Sequence, residues 1–193
     1  MNIDELKQTA LKDKIPIMSD EVIAFILSFL KNNSQIKEVL EIGSAYGYSA
    51  LCFSEVKHIH IDTLEIDKKR YLKALGNIEL MNKKDAIDIY FQDALSFKTH
   101  KIYDLIIVDG AKSQYQHFFE YYQDNTHRGS FFIFDNLNFH GMVKDPSLTH
   151  NRHTKGLIKR LQQFNNYLLN IKNYNVQIYK ELGDGLAILE RII

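Results

Sequence analysis

Asp109, Asp135 and Asn136 are the residues best equipped for chemistry: three oxygen donors standing where two apolar runs end, Tyr103 to Val108 and Phe131 to Phe134. Oxygen ligands of this kind suit a hard divalent cation that keeps its other positions for water or substrate, and magnesium is the first candidate. Asp-Asn after a strand also serves as a turn or a helix cap, so the pair alone leaves both readings open. No Cys or His grouping has zinc spacing, and the lone histidines, His140 included, read as loop residues or hydrogen-bonding groups. A second candidate site is Val39-Leu40-Glu41-Ile42-Gly43-Ser44-Ala45-Tyr46-Gly47-Tyr48-Ser49, where an apolar run meets an acid and two spaced glycines. Gly43 and Gly47 allow a tight turn with close backbone approach, and Ser49 to Phe53 can continue as a helix. Strand, glycine turn and helix make a nucleotide-type crevice. The spacing is not Gly-x-Gly-x-x-Gly, and a carboxylate at Glu41 would repel a pyrophosphate that a helix N-terminus otherwise attracts. An acid there fits a cationic cofactor, although an ordinary strand-to-helix turn would leave the same trace.

These groups need a scaffold, and the rest of the chain supplies one. Its 193 residues suffice for one domain with a sizeable core and are too few for two. We expect a single domain over 1–193, with N-terminal helices in 1–34 packed on a core of 35–193. Apolar residues at 45% and charged residues at 25% are ordinary globular values, which argues against disorder or a membrane class. The formal net charge is zero, so an anionic partner would have to be met by a local basic patch. Cys52 is the only cysteine and the N-terminus does not resemble a signal peptide. Val22 to Leu30 is far shorter than the roughly 20 residues that span a bilayer. A cytoplasmic protein is the expectation.

In chain order, Asn2 to Lys14 has the spacing of an outer helix or arm, and Ser19 or Asp20 can cap a helix running to about Leu30. Strands are expected before the glycine turn, over Ile59 to Ile66, Ile87 to Phe91 and Tyr103 to Val108, and over Phe131 to Phe134 after a turn at Arg128-Gly129-Ser130. Helices are expected over Lys69 to Met81, Ser113 to Tyr122 and Thr154 to Asn170, with the aromatics of Ser113 to Tyr122 read as core or interface. Leu137 to Asn151 reads as a long functional loop, and Tyr174 to Tyr179 with Leu186 to Leu189 as a hairpin around Gly183-Asp184-Gly185. Alternating strands and helices argue for a Rossmann-like α/β fold, a mostly parallel sheet with ligands beyond the strands' carboxyl ends. Five acids, Glu41, Glu65, Asp93, Asp109 and Asp135, then fall on one edge, which solvation alone hardly explains. Glu65 sits where ribose hydroxyls are held in such sites; it could equally be a solvated strand end or the cap of the next helix. Asp93 could contact an adenine ring or simply close a turn.

The glycine-turn segment resembles the first motif of class I S-adenosylmethionine-dependent methyltransferases, whose cofactor is cationic and has no phosphate. Val108-Asp109-Gly110-Ala111-Lys112-Ser113-Gln114-Tyr115, Phe134-Asp135-Asn136-Leu137-Asn138-Phe139-His140-Gly141 and Gly183-Asp184-Gly185-Leu186-Ala187 follow in order. Together they resemble the divalent-metal-dependent O-methyltransferases, the family of catechol and caffeoyl-CoA O-methyltransferases, over about Pro16 to the C-terminus. Among them the chain looks most similar to bacterial enzymes that convert 5-hydroxyuridine in tRNA to 5-methoxyuridine. The resemblance implies a seven-stranded class I methyltransferase sheet ending in an antiparallel hairpin, S-adenosyl-L-methionine as cofactor and a divalent cation, Mg2+ first. It places the metal on Asp109, Asp135 and Asn136, and the cofactor near Met18, Glu41, Gly43, Ser49, Glu65, Asp93, Ala94 and Asp109. Lys112 matches a lysine that acts as catalytic base in the catechol enzymes, beside Asp109; a solvated lysine at a helix start is the plain alternative. Phe91-Gln92 stands where many relatives carry a glycine, which puts the adenine contacts in question. The resemblance also implies a homodimer.

The substrate remains divided between two readings. Lys144, Arg152, Lys155, Lys159 and Arg160, with His140, His150 and His153, could meet tRNA phosphates, with only Asp145 opposing them. The same residues could be a solvated helix face around an enzyme for a free catechol-like molecule. A binding domain without chemistry would be expected to have lost metal positions, and here all are present.

Overall fold

Apolar runs separated by amphipathic segments dictate layers, and the computed structural model, which describes residues 2–193, has three of them. The elements are α1 (Ile3–Lys12), α2 (Asp20–Asn32), β1 (Glu38–Ile42), α3 (Tyr48–Phe53), β2 (His60–Glu65), α4 (Lys68–Leu80) and β3 (Ile87–Phe91). There follow β4 (Tyr103–Val108), α5 (Tyr115–Tyr122), β5 (Thr126–Phe134), α6 (Arg152–Asn170), β6 (Tyr174–Tyr179) and β7 (Leu186–Arg191). The strands form one seven-stranded sheet in the order β3-β2-β1-β4-β5-β7-β6. β1 to β5 pair in parallel, whereas β7 runs antiparallel to both β5 and β6. This is the expected Rossmann-like sheet with its C-terminal hairpin. The order of strand addition reverses between β1 and β4, which are parallel neighbours, so the crevice opens above their carboxyl ends.

Side chains of a strand alternate between faces, and the central strands are apolar on both. Val39, Ile61 and Leu105 pack under Leu6, Ile26, Leu30 and Phe53, while Leu40, Ile106 and Phe132 pack under Phe118, Phe119, Leu161 and Phe164. The aromatic stripe of α5 is therefore core, as expected. Helix starts follow from short polar side chains that accept otherwise unpaired N–H groups: Asn2 and Glu5 form a capping box on α1, Ser19 caps α2, Asp67 caps α4 and Asn151 caps α6.

Several expected boundaries move. Of the two alternatives for Asn2 to Lys14, α1 is a helix packed on the core and not a free arm, since Leu6 and Ala10 are fully buried. Arg128-Gly129-Ser130 is not a turn before β5 but an irregularity within it. The pairing with β4 jumps from Tyr103–Thr126 to Leu105–Phe131, and Gly129 absorbs the extra residues at φ +91°. Residues 112–114 form a 3-10 turn ahead of α5. The long loop before α6 is ordered by its own backbone bonds and a 3-10 turn at Pro146–Leu148. No helix among the described residues is long and apolar enough to cross a membrane.

Candidate active site

Beyond β1 the backbone turns through Gly43 (φ +104°), Ala45 (φ +47°) and Gly47 (φ +79°) before α3 starts. A Cβ on Gly43 would stand 2.8 Å from the Asp109 carbonyl oxygen, so the exits of β1 and β4 approach too closely for any side chain. The turn also builds the seat of Glu65. Its Oε2 accepts the Ala45 N–H at 2.8 Å and its Oε1 the Asp67 N–H at 2.8 Å. Glu65 is thereby buried, which rules out a solvated strand end, and the cap of α4 is Asp67 rather than Glu65. Each carboxylate oxygen keeps a second lone pair, the acceptor geometry that a pair of vicinal hydroxyls needs.

A cavity of about 500 Å3 lies over these strand ends. Met18, Gly43, Ser49, Glu65, Asp93, Ala94, Asp109, Lys112 and Asn136 of the expected set line it. Glu41 and Asp135 are not among the lining residues, so Glu41, expected near the cofactor, stands behind the wall rather than on it. Glu41 is 1% exposed beneath the turn and accepts hydrogen bonds from the hydroxyls of Ser49 and Thr63. Burial pushes its carboxyl up to about 7, the two hydroxyls oppose this, and the charges of Asp109 and Glu65 add to it. Its direct reach is to Ser49, which does line the cavity. Asp93 accepts the Leu95 N–H at 2.8 Å, so it closes its own turn and lines the cavity as well.

Sequence reasoning missed Pro16, Ile17, Arg70 and Phe118 on the wall, since no local pattern ties them to the glycine turn. It also missed Ser44, whose hydroxyl is buried against the cavity without a hydrogen-bond partner. An orphan of this kind is costly unless a ligand or water meets it. With the Glu65 seat, the orphaned Ser44 hydroxyl and an apolar wall at Met18, Ile42 and Leu64, the cavity fits a nucleoside cofactor lacking phosphate.

At the other end of the cavity Lys112 Nζ lies 3.5 Å from Asp109 Oδ1, with both side chains 20% exposed. Lys112 is thus half-enclosed, not the solvated lysine of the plain alternative. Asp135 is 1% exposed, and its Oδ1 accepts the Asn136 N–H at 2.7 Å. The Tyr115 hydroxyl fixes this turn by donating to the Asp135 carbonyl at 2.7 Å, and Asn136 itself is left-handed at φ +58°. Burial pushes Asp109 up, with the Lys112 charge working against it. Burial, with the charge of Asp109, pushes Asp135 up to about 7. Two crowded carboxylates and an amide, short of positive charge, are a donor set that fits a hard divalent cation.

A different cluster of potential ligands, His60, Asp62 and Asp88, comes within 4.8 Å at the far side of the sheet. There the Lys101 ammonium already sits 2.9 Å from Asp62. Near the cavity α6 packs against the turn at Lys112–Gln114. Lys144, Arg152, Lys155, Lys159 and Arg160 are all exposed, and none pairs with a carboxylate among the described residues.

The sequence pattern of a family described as O-methyltransferase matches residues 1–192. A catechol O-methyltransferase of Niastella koreensis is 26% identical over 131 residues, which cover 64% of this chain and 59% of that protein. A Staphylococcus aureus structure provisionally named a caffeoyl-CoA O-methyltransferase is 29% identical with a TM-score of 0.93 over 99% of this chain and 92% of that one. A Bacillus cereus O-methyltransferase in complex with S-adenosylhomocysteine is 19% identical, with a TM-score of 0.82 over 98% and 90% of the two chains, and shows the shared fold.

Proposed function

Because the chain belongs to the O-methyltransferase family, we propose that it transfers a methyl group from S-adenosylmethionine to an acidic hydroxyl flanked by a second oxygen. The observation that carries this is the meeting of Lys112, Asp109 and Asn136 at one end of the cavity whose other end holds the Glu65 seat. Glu65 would hold the ribose hydroxyls, Met18, Gly43 and Ala94 would enclose the cofactor, and Asp93 would flank its adenine. Ser49, its proton directed to Glu41, would offer a lone pair to the cofactor's ammonium. Asp109, Asp135 and Asn136 would hold a divalent cation, magnesium in the first instance. Bound there, the cation would supply Lewis acidity that favours the oxyanion of a chelating substrate.

The chain's own groups would do the rest. Lys112 would stand at the departing proton, accepting it when neutral and steadying the oxyanion when charged. The oxyanion would then form its bond to the methyl carbon as the carbon–sulfur bond breaks, leaving S-adenosylhomocysteine, with positioning in the cavity providing much of the acceleration. Within this class we assign 5-hydroxyuridine of the tRNA wobble position as substrate, giving 5-methoxyuridine. Its 5-hydroxyl and O4 make the required oxygen pair. The exposed, unpaired cations of α6 and the preceding loop give tRNA phosphates a surface beside the cavity. The similarity to the Niastella koreensis catechol O-methyltransferase favours a second reading, a free catechol-like acceptor.

Labelled S-adenosylmethionine offered with tRNA carrying 5-hydroxyuridine, and separately with catechol, decides between the two. Chelator-sensitive label in 5-methoxyuridine is the expected result. Label in catechol alone overturns the tRNA assignment, and label insensitive to chelator overturns the metal role.

A further inference from the structure

Asn136, Phe139, His140 and Gly141 all have left-handed backbones, at φ +58°, +46°, +56° and +77°. Only glycine adopts this region freely; asparagine and histidine enter it more readily than most side chains yet still at a cost, and phenylalanine is a clear outlier there. Asn136, a proposed cation donor, is separated from the left-handed run 139–141 by only Leu137 and Asn138, so whatever holds 137–141 also bears on where Asn136 stands.

The support comes from the tip of the β6–β7 hairpin. Both carboxylate oxygens of Asp184 accept the His140 N–H, at 2.7 and 2.8 Å. The Asp184 carbonyl accepts the Asn138 N–H at 2.8 Å, and the Gly185 carbonyl accepts the Leu137 N–H at 2.9 Å. The Asn138 amide donates in turn to the Lys180 carbonyl at 2.8 Å. The tip has no room to drift. A Cβ on Gly185 would stand 2.7 Å from the Asn138 amide nitrogen, and one on Gly183 would stand 2.5 Å from Val22 Cγ2. The Gly183 N–H also donates to Glu21 Oε2 at 3.2 Å, tying the tip to α2. The His140 imidazole is 75% exposed and its Nδ1 stands 3.7 Å from Asp184 Oδ2, so the short contacts of Asp184 are with the backbone N–H of this residue.

We propose that Asp184 is a positioning residue for the cation site, its carboxylate clamping the His140 N–H and thereby holding the left-handed run that follows Asn136 and fixes it at the cavity. This rests on the cation reading of Asp109, Asp135 and Asn136 given above. The clamp acts through hydrogen bonding to a strained backbone; the charge of Asp184, a lesser influence on Asp135, is separable from it. Asp184→Asn keeps an acceptor and loses the charge; Asp184→Ala loses both. His140→Gly removes the need for the clamp, because glycine takes a left-handed backbone without strain.

The test is a titration of Mn2+ by electron paramagnetic resonance on the full chain and these variants, with S-adenosylhomocysteine binding measured alongside as a check on the cofactor end. Partners that orient metal ligands typically contribute about 10- to 100-fold in affinity, so Asp184→Ala is expected to weaken Mn2+ at least about tenfold. Asp184→Asn should stay close to the original affinity, and Asp184→Ala with His140→Gly should regain most of the loss. If Asp184→Ala does not fold, the double variant carries the test, since it must fold and bind Mn2+ nearly as the parent does. Unchanged affinity in Asp184→Ala, equal loss in Asp184→Asn, or no recovery with His140→Gly overturns the clamp while the cation reading stands. A parent chain that binds no Mn2+ overturns that reading, and the clamp with it.

Discussion

Asp62 in β2 and Asp135 after β5 are equally buried, each 1% exposed, and they sit toward opposite ends of the same sheet. Asp62 is fully met: Lys101 Nζ stands 3.0 and 2.9 Å from its two oxygens and the Tyr103 hydroxyl donates to it at 2.7 Å. Its neighbour on the amino edge, Asp104, accepts the N–H groups of Lys37 and Glu38 and meets His127 Nε2 at 2.9 Å. Although burial works against it, the Glu38 N–H, His127 and the Lys37 N–H hold the Asp104 carboxyl below its usual range. Asp135 has one N–H on its carboxylate and a second carboxylate nearby, and it is driven the other way. The amino edge thus brings its own cations. The carboxyl edge sets only Lys112, 3.5 Å from Asp109, against Asp109 and Asp135 together, and this deficit marks it as the place where something binds.

The sharpest way to break this comparison is to delete one charged group from each end. Asp135→Ala is expected to lower methyl transfer by at least about 1,000-fold, because a cation acting as Lewis acid is worth several kcal/mol in the transition state. Lys101→Met, at the amino edge, should leave turnover within about twofold and damage folding instead. Losing one partner of a buried ion pair costs about 3–5 kcal/mol, and with Lys101 itself 42% exposed the lower end applies, about 3 kcal/mol by urea denaturation. A turnover loss in Lys101→Met as large as that of Asp135→Ala would dissolve the distinction between the two ends.

A pH series sharpens it further. Glu41 has its folded carboxyl raised, so the protein holds its proton more tightly than the unfolded chain does. That contribution is fully present below about 4.5 and is lost as pH rises through about 7. Glu41→Gln has nothing to lose over this window. Its stability relative to the parent should improve by about 2 kcal/mol between pH 4 and pH 8, somewhat less than the 1.36 kcal/mol per pKa unit of full linkage. Parallel stability curves for the two proteins would show that Glu41 is not proton-linked. For Asp135 the same reasoning predicts that added Mg2+ raises the melting temperature at pH 8 far more than at pH 5, where protons already neutralise the site.

What the sequence made legible was the placement of acids at strand ends, because an apolar run followed by Asp or Glu is a local pattern and the parallel sheet gathers all such ends on one edge. The functional layer of each acid was not legible. Glu41 and Glu65 both sit beside the glycine turn, yet Glu41 faces inward to Ser49 and Thr63, and Thr63 lies on a neighbouring strand that only the β1–β2 register identifies. Glu65 took its seat from the N–H of Ala45, a residue whose methyl side chain cannot advertise the role. Arg128-Gly129-Ser130 carries turn residues and is a strand irregularity all the same, since pairing with β4 overrides local preference. The grip of Asp184 on His140 spans 44 positions, and no periodicity could have linked them.

The smallest expected effects are on the basic rim, where the deficit of the carboxyl edge meets a surplus of positive charge. Lys144, Arg152, Lys155, Lys159 and Arg160 are exposed and spread over a loop and one helix, so no single one should be decisive. Each phosphate contact adds about 0.9 to the slope of log affinity against log salt on a duplex and about 0.7 on a single strand. Lys155→Glu should therefore weaken tRNA binding only a few-fold near physiological salt and flatten that slope by about one contact. Arg160→Glu should do the same, and the two together should add, while S-adenosylhomocysteine affinity stays constant because the cofactor end is separate. If both reversals leave the tRNA salt slope unchanged and catechol turnover is also untouched, α6 is a solvated face, and the acceptor must reach Lys112 from another side of the cavity.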